Sequence, residues 1–181
     1  MQWNSAAYGP EVASILALEG GGEKLMPLIR GACSEEGRRS IQSKPARELF
    51  ASSRAPEAAL SGLYFYFSCW EEAHQTAQEI SSADGSYWHA LVHRQEPDAG
   101  NAAYWFRQTG QHPVFSSLLA SASQLAAAHR GAGVSFNGKW DPFAFVELCG
   151  TAQPGSALEK LALEIQRAEW QLLFDHCARA K

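Results

Sequence analysis

The sequence lacks several features that would assign a protein to a class at once. Its densest apolar run, Leu63–Phe67, spans five residues, far too few to cross a bilayer. The start of the chain, Met1–Ser5, has neither the basic nor the apolar region of a secretory signal. Charged residues are 19% of the chain, and 19 acidic residues face 15 basic ones. We therefore expect a cytoplasmic protein that binds neither membranes nor nucleic acid.

Several familiar catalytic motifs are also missing. The triplet Gly20–Gly22 is followed by Glu23 and Lys24, which is not the spacing of a phosphate-binding loop. The chain has no GxSxG nucleophile elbow and no CxxC pair. Its four cysteines are Cys33, Cys69, Cys149 and Cys177. Because they are widely spaced, we expect reduced thiols in the core rather than disulfide partners or zinc ligands.

The patterns that are present predict an all-α, single-domain helical bundle spanning residues 1–181. Hydrophobic residues make up 46% of the 181 residues, which is enough to form one sizeable core. Apolar residues recur mostly at three- and four-residue spacing rather than in alternation. Residues 1–54 are expected to add N-terminal helices that pack on this core. Periodicity alone assigns no oligomeric state.

Helix-start signals mark the second half of the chain. Ser156 and Glu159 have the spacing of a capping box, Asp141-Pro142 is an N-cap followed by proline, and Pro113 opens another helix. In the first half, Pro56–Ile80 reads as one long helix at the centre of the bundle, because its middle is apolar on nearly every side.

The richest chemistry lies in Gly85–Phe115. A helix starting at Asp84-Gly85-Ser86 and ending before Pro97 places His89 and His93 on one face, and Glu96 can extend that face. The preceding helix should pack antiparallel to this one across a short turn, so that His74 approaches His89 or His93.

A second short helix follows in the same block. Asp98 is expected to cap it and Gly110 to end it. This helix carries Asn101, Tyr104 and Arg107, and His112 lies in the turn after it. Titratable groups mixed with large aromatic side chains are typical of a small-molecule pocket.

This block also resembles a family of uncharacterised bacterial and fungal proteins. The resemblance depends on Gly85-Ser-Tyr-Trp-His-Ala-Leu-Val-His-Arg-Gln-Glu-Pro-Asp98, Asn101-Ala-Ala-Tyr-Trp-Phe-Arg107 and Gly110-Gln-His-Pro-Val-Phe115. Weaker matches are Glu72-Ala-His74, Trp140-Asp-Pro142 and Gln166 with Glu169-Trp170, so that about two-thirds of the chain is covered. The resemblance implies a site but no activity. Gln95 stands where the family pattern has a second arginine, which implies that this position is not essential.

Three hypotheses follow for the block. In the first, His89 and His93, with His74, Glu96 or Asp98, bind a divalent metal such as zinc or iron. In the second, a polar or anionic metabolite binds at Arg94 and Arg107, with acid–base chemistry from His89, His93, Glu96 and Asp98. The expected ligand-binding residues are His74, Tyr87, Arg94, Asn101, Tyr104, Arg107 and His112. In the third, the block is the structural network of a non-catalytic interaction module, in which Arg94 and Arg107 pair with Glu96 and Asp98.

Overall fold

The computed structural model describes residues 3–96 and 98–180. Ten α-helices lie in this part of the chain: α1 (Pro10–Ala17), α2 (Glu35–Gln42), α3 (Ala46–Leu49), α4 (Pro56–Tyr66), α5 (Trp70–Gln78), α6 (Ala83–Arg94), α7 (Ala99–Thr109), α8 (Val114–Ala128), α9 (Pro142–Thr151) and α10 (Ala157–Ala178). Short 3-10 turns cover Ser5–Tyr8 and Arg130–Ala132. No strand occurs among the described residues, so the all-α prediction is confirmed. None of the helices found there is long and apolar enough to cross a membrane.

The helix at the centre of the molecule is α6. It packs on α4, α5 and α7 and is buried from Gly85 to Arg94. Trp88 has no exposed surface, and such burial stabilises the fold by roughly 1.5–3 kcal/mol per large side chain. The N-terminal helices add Val12, Leu16 and Ile41 to the same core cluster.

The single helix predicted over Pro56–Ile80 is wrong. The chain forms α4 and α5 instead, with a break at Phe67–Cys69. Ser68 has a φ of 59°, a left-handed conformation that ends a helix and is costly for a residue with a Cβ. After this break, α5 packs against both α4 and α6.

The predicted helix starts agree with the structure in most cases. Asp141 accepts hydrogen bonds from the amides of Phe143 and Ala144, and Asp98 accepts one from Asn101. Ser156 caps α10, but Glu159 accepts from the Gly155 amide rather than from that of Ser156. The predicted helix end at Pro97 lies outside the described residues, and α6 ends at Arg94.

The prediction of four reduced cysteines is wrong for two of them. Cys33 and Cys69 form a disulfide across 36 residues of sequence, whereas Cys149 and Cys177 are buried free thiols. Spacing did not reveal the pair because the two sulfur atoms meet only after α4 has returned the chain to the loop before α2.

Candidate metal centre

Three histidine side chains from two neighbouring helices converge beside α6. His74 lies on α5, and His89 and His93 lie one turn apart on α6. The ring centroids are 4.5 Å apart for His74–His89, 5.0 Å for His74–His93 and 4.8 Å for His89–His93. One nitrogen from each ring lies within 4.8 Å of the other two. The predicted approach of His74 to this face of α6 is therefore confirmed, and we call the three residues the histidine triad.

The hydrogen bonds of the triad leave nitrogen lone pairs free. His93 Nδ1 lies 2.8 Å from the carboxylate of Glu96, which favours the tautomer with the proton on Nδ1 and the lone pair on Nε2. His89 is 1% exposed, yet neither of its ring nitrogens has a hydrogen-bond partner among the described residues. Leaving a buried polar atom unpaired costs about 1–3 kcal/mol. The neutral His89 ring therefore has a nitrogen lone pair that no hydrogen bond among the described residues uses.

Burial favours the neutral form of His89 and of His74. Desolvation, together with the nearby His74 and His93, lowers the pKa of His89 to about 3. Desolvation followed by the charge of His93 also lowers the pKa of His74. Neutral imidazole is the form that binds metals, so no proton competes for His89 at neutral pH.

Two tryptophans stack on the imidazole rings of His74 and His89. Trp70 stacks on His74 at 4.8 Å, and Trp105 stacks on His89 at 3.9 Å. The Trp70 indole also donates to the carbonyl of Val92, at 3.0 Å, which ties α5 to α6. Since stacking fixes the ring planes, only small rotations are available to the imidazoles.

The triad fits one zinc-sized ion. Imidazole nitrogens bound to zinc at about 2.0–2.1 Å are roughly 3.3 Å apart in a tetrahedral site. Closing from a spread of 4.8 Å requires small ring movements and no change of fold. Three histidines leave the fourth tetrahedral position open, as in catalytic zinc sites. His74 is only partly buried, so the triad is not sealed from solvent on every side.

A second cluster also contains histidines, but the ring nitrogens of its His112 are already hydrogen-bonded. The Asp84 carboxylate lies 3.0 Å from Nε2 of His112 and 3.2 Å from Nε2 of His176. His112 Nδ1 accepts a hydrogen bond from the Val114 amide, so the proton must be on Nε2, which donates to Asp84. Burial opposes ionisation of Asp84, but the hydrogen bond from His112 and the charges of His176, His112 and Arg54 together outweigh it and lower the pKa of this carboxyl. We call this group the aspartate cluster; with Nε2 protonated, His112 offers no lone pair to a metal there.

Arg94 belongs to a third, buried group on the opposite side of α6. Its guanidinium lies 2.7 Å from the Glu169 carboxylate, and both side chains have no exposed surface. Tyr87 donates to the same carboxylate at 2.8 Å, and Arg94 donates to Gln166 at 3.3 Å. Desolvation would lower the pKa of Arg94, but the charge of Glu169 raises it on balance. The predicted pairing of Arg94 with Glu96 or Asp98 is wrong.

A groove of about 1000 Å³ passes over the backbone of Arg94 between Pro27, Ile29 and Val146. A ligand in this groove does not reach the guanidinium, because the Arg94 side chain is sealed from solvent. Glu96, another predicted site residue, also lines this groove, and the metabolite site at Arg94 stays a prediction.

The remaining predicted site residues lie apart. Asp98 caps α7 at the surface, Tyr104 is 48% exposed and Arg107 is exposed. Asn101 comes closer, with its amide nitrogen 3.4 Å from Nδ1 of His93. Thus the single pocket expected from the sequence separates into the histidine triad, the aspartate cluster and the Arg94–Glu169 group.

Several residues that shape these sites were not predicted as site residues from the sequence. Trp70 carried a usable signal, since it precedes His74 by one helical turn and so shares its face. Asp84 and His176 carried none, because they lie on α6 and α10, far apart in sequence.

Comparisons with protein-family models, with curated proteins and with solved structures found no match to this chain. The family resemblance therefore stays a prediction.

Proposed function

We propose that this protein binds one divalent transition-metal ion, with zinc as the first choice, through His74, His89 and His93. The observation that carries the proposal is the state of His89. This buried imidazole lies beside two other histidines, and neither of its nitrogens has a hydrogen-bond partner in the part of the chain that the structure describes. A metal bound to one nitrogen would remove the cost of an unpaired buried atom. Imidazole ligands suit zinc, copper, nickel and iron.

Glu96 supports this proposal from outside the ligand set. A metal-binding histidine usually donates its other N–H to a carboxylate, which fixes the ring and makes it a stronger ligand. His93 has this arrangement with Glu96. In this proposal Glu96 positions a ligand and is not itself one.

The open position defines the kind of small molecule that the site takes. Three neutral imidazoles leave the full double positive charge on the ion, which attracts a carboxylate, a phosphate or hydroxide. A zinc ion in such a site lowers the pKa of bound water to about 7 and polarises carbonyl or phosphoryl oxygens. We therefore propose a polar or anionic metabolite as the ligand of the metal, in place of the arginine-based pocket.

The rival proposal, a structural network, is favoured for the rest of the block. The Arg94–Glu169 group is sealed from solvent, and the ring nitrogens of His112 both have partners. In that reading the chain is a non-catalytic interaction module, and the triad would pack without metal.

Cobalt titration of the metal-free protein distinguishes the two. We expect one equivalent of Co²⁺ to give the intense visible absorption of a tetrahedral site, to be displaced by zinc, and to change on addition of acetate or azide. His89→Ala should lose this absorption, whereas His129→Ala, which alters a partly exposed histidine paired with Glu164, should keep it. Circular dichroism verifies that both variants are folded. Equal binding by wild type and His89→Ala, or no binding by wild type, would overturn the proposal.

A further inference from the structure

The loop before α2 fastens together the two helices that carry the triad. On the α6 side, the Arg30 amide donates to the carbonyl of Gln95 at 2.9 Å, and the buried Gln95 side chain donates to the carbonyl of Pro27 at 2.8 Å. On the α5 side, the loop ends at Cys33, which is bonded covalently to Cys69. We call Pro27–Cys33 the strap.

The strap also contacts the aromatic support of His74. The Arg30 guanidinium lies over the Trp70 ring at 4.5 Å and forms an ion pair with Glu71 at 2.6 Å. Trp70 in turn stacks on His74. The strap therefore fixes the first turn of α5 and the last turn of α6, at the end of the hairpin where His74 and His93 meet.

The disulfide that anchors the strap can be reached from solvent on one side. Cys33 is partly buried and lines a polar cleft of about 470 Å³ with Arg30, Arg38, Ser68 and Trp70. Cys69 has no exposed surface. An incoming thiolate must therefore attack the sulfur of Cys33, and Cys69 is the leaving group.

The position of Cys69 suits a leaving thiolate. It is the N-cap residue of α5, where the positive end of the helix dipole stabilises negative charge. The carboxylate of Glu72 lies within 4.8 Å of the sulfur atoms of Cys33 and Cys69. Its negative charge is paired with Arg38. Once protonated, the Cys69 thiol has the carbonyls of Phe67 and Ser34 at 3.6 and 3.8 Å as acceptors.

We propose that Cys33–Cys69 is a second reactive site, a disulfide that dithiols reduce through this cleft, and that its reduction weakens metal binding at the histidine triad. The second part rests on the proposed function. One thiolate of the dithiol attacks Cys33 and breaks the Cys33–Cys69 bond. The other thiolate then attacks the mixed disulfide and releases Cys33. Two electrons and two protons pass to the cysteines, and the dithiol becomes a cyclic disulfide.

Metal affinity would fall because the covalent end of the strap is lost. The hydrogen bonds to Gln95 keep the strap on α6, but its hold on α5 is reduced to the contacts of Arg30 with Trp70 and Glu71. His74 then has more freedom relative to His89 and His93. Loss of a supporting contact of this kind typically costs 10–100-fold in metal affinity.

The test compares the oxidised protein with protein reduced by dithiothreitol, which is removed under argon before zinc and cobalt titration. We expect alkylation to label Cys33 in the folded, reduced protein. We expect the zinc affinity of this alkylated protein, whose blocked Cys33 cannot bind zinc itself, to be about tenfold lower than that of the oxidised protein. A Cys33→Ser variant should match the reduced protein and should not respond to dithiothreitol, whereas Cys149→Ser, at a buried free thiol, should respond like wild type.

Each outcome of this test has one meaning. If the native disulfide resists dithiothreitol, or if the oxidised protein, the reduced and alkylated protein and Cys33→Ser all bind zinc equally, the redox inference is wrong and the metal site stands. If neither form binds metal, the proposed function is wrong and the control of affinity falls with it.

Discussion

The histidine triad and the aspartate cluster have nearly the same ingredients and opposite chemical states. Each gathers three groups able to bind metal within 4.8 Å of one another, and α6 contributes to both, through His89 and His93 to one and through Asp84 to the other. In the aspartate cluster the nitrogens of His112 are both hydrogen-bonded. In the triad neither ring nitrogen of His89 has a hydrogen-bond partner within residues 3–96 and 98–180. The comparison teaches that unpaired lone pairs, rather than the number of histidines, indicate a metal site.

The largest effect on the stability of the metal-free protein is expected in the aspartate cluster. His112→Ala removes a buried ring and the hydrogen bond that it donates to Asp84, which leaves His176 beside the carboxylate. We expect the free energy of unfolding, measured with urea, to fall by about 2–3 kcal/mol, while zinc affinity stays within about threefold of wild type, as expected for a distant site. A large loss of zinc affinity with little loss of stability would reverse the roles assigned to the two clusters.

The next largest effect is expected at Glu96, which supports the histidine triad through its bond to His93. Glu96→Gln replaces the carboxylate bonded to His93 with a neutral amide, which weakens the ligand without removing it. We expect zinc affinity to fall by about tenfold, measured by competition with a chelator of known affinity.

Asp98→Asn is the matched control for Glu96→Gln. It removes a neighbouring carboxylate that caps α7, and asparagine caps helices about as well as aspartate. Zinc affinity should therefore not change in this variant. An equal loss of affinity in both variants would show that overall charge, not the bond to His93, supports the metal.

The smallest effect concerns the pH dependence of the metal-free protein. Because the pKa of His89 is about 3 in the folded state and about 6.5 in an unfolded chain, the unfolded state takes up the proton first. Stability is therefore lost as pH falls from about 6.5 toward 3, by about 1 kcal/mol at pH 5.5.

His89→Leu, which keeps a similar volume without the nitrogens, should reduce this dependence and leave stability at neutral pH unchanged or slightly higher. The remaining dependence comes from His74 and His176, whose pKa values are also lowered. Asp84, whose pKa is lowered, contributes stability above its unfolded pKa of about 3.9, and this stability is lost only as the pH falls below that value. Urea unfolding of both proteins between pH 4.5 and 7.5 measures the difference. Parallel curves for wild type and His89→Leu would be inconsistent with a neutral, unpaired His89.

Local periodicity was sufficient to predict the triad. A spacing of four residues puts His89 and His93 on one face, and a short turn between antiparallel helices brings His74 to them. The helix caps at Asp98, Asp141 and Ser156 were predictable for the same reason, since each depends on bonds within one turn.

Partners distant in the sequence were not predictable. Arg94 was expected to pair with carboxylates two and four residues away, but its partner is Glu169 on α10. Burial decides this choice, because an exposed pairing is worth little whereas a sealed arginine requires a charge. The Cys33–Cys69 bond and the left-handed Ser68 likewise depend on how α4 packs, which no local pattern contains.

Anomalous diffraction from crystals of the zinc-loaded protein, collected at the zinc absorption edge, tests the central claim most directly. The account predicts one strong peak bonded to nitrogens of His74, His89 and His93, with Glu96 still bonded to His93 and no peak between Asp84, His112 and His176. A peak at the aspartate cluster, or a triad without metal in fully zinc-equilibrated crystals, would contradict it.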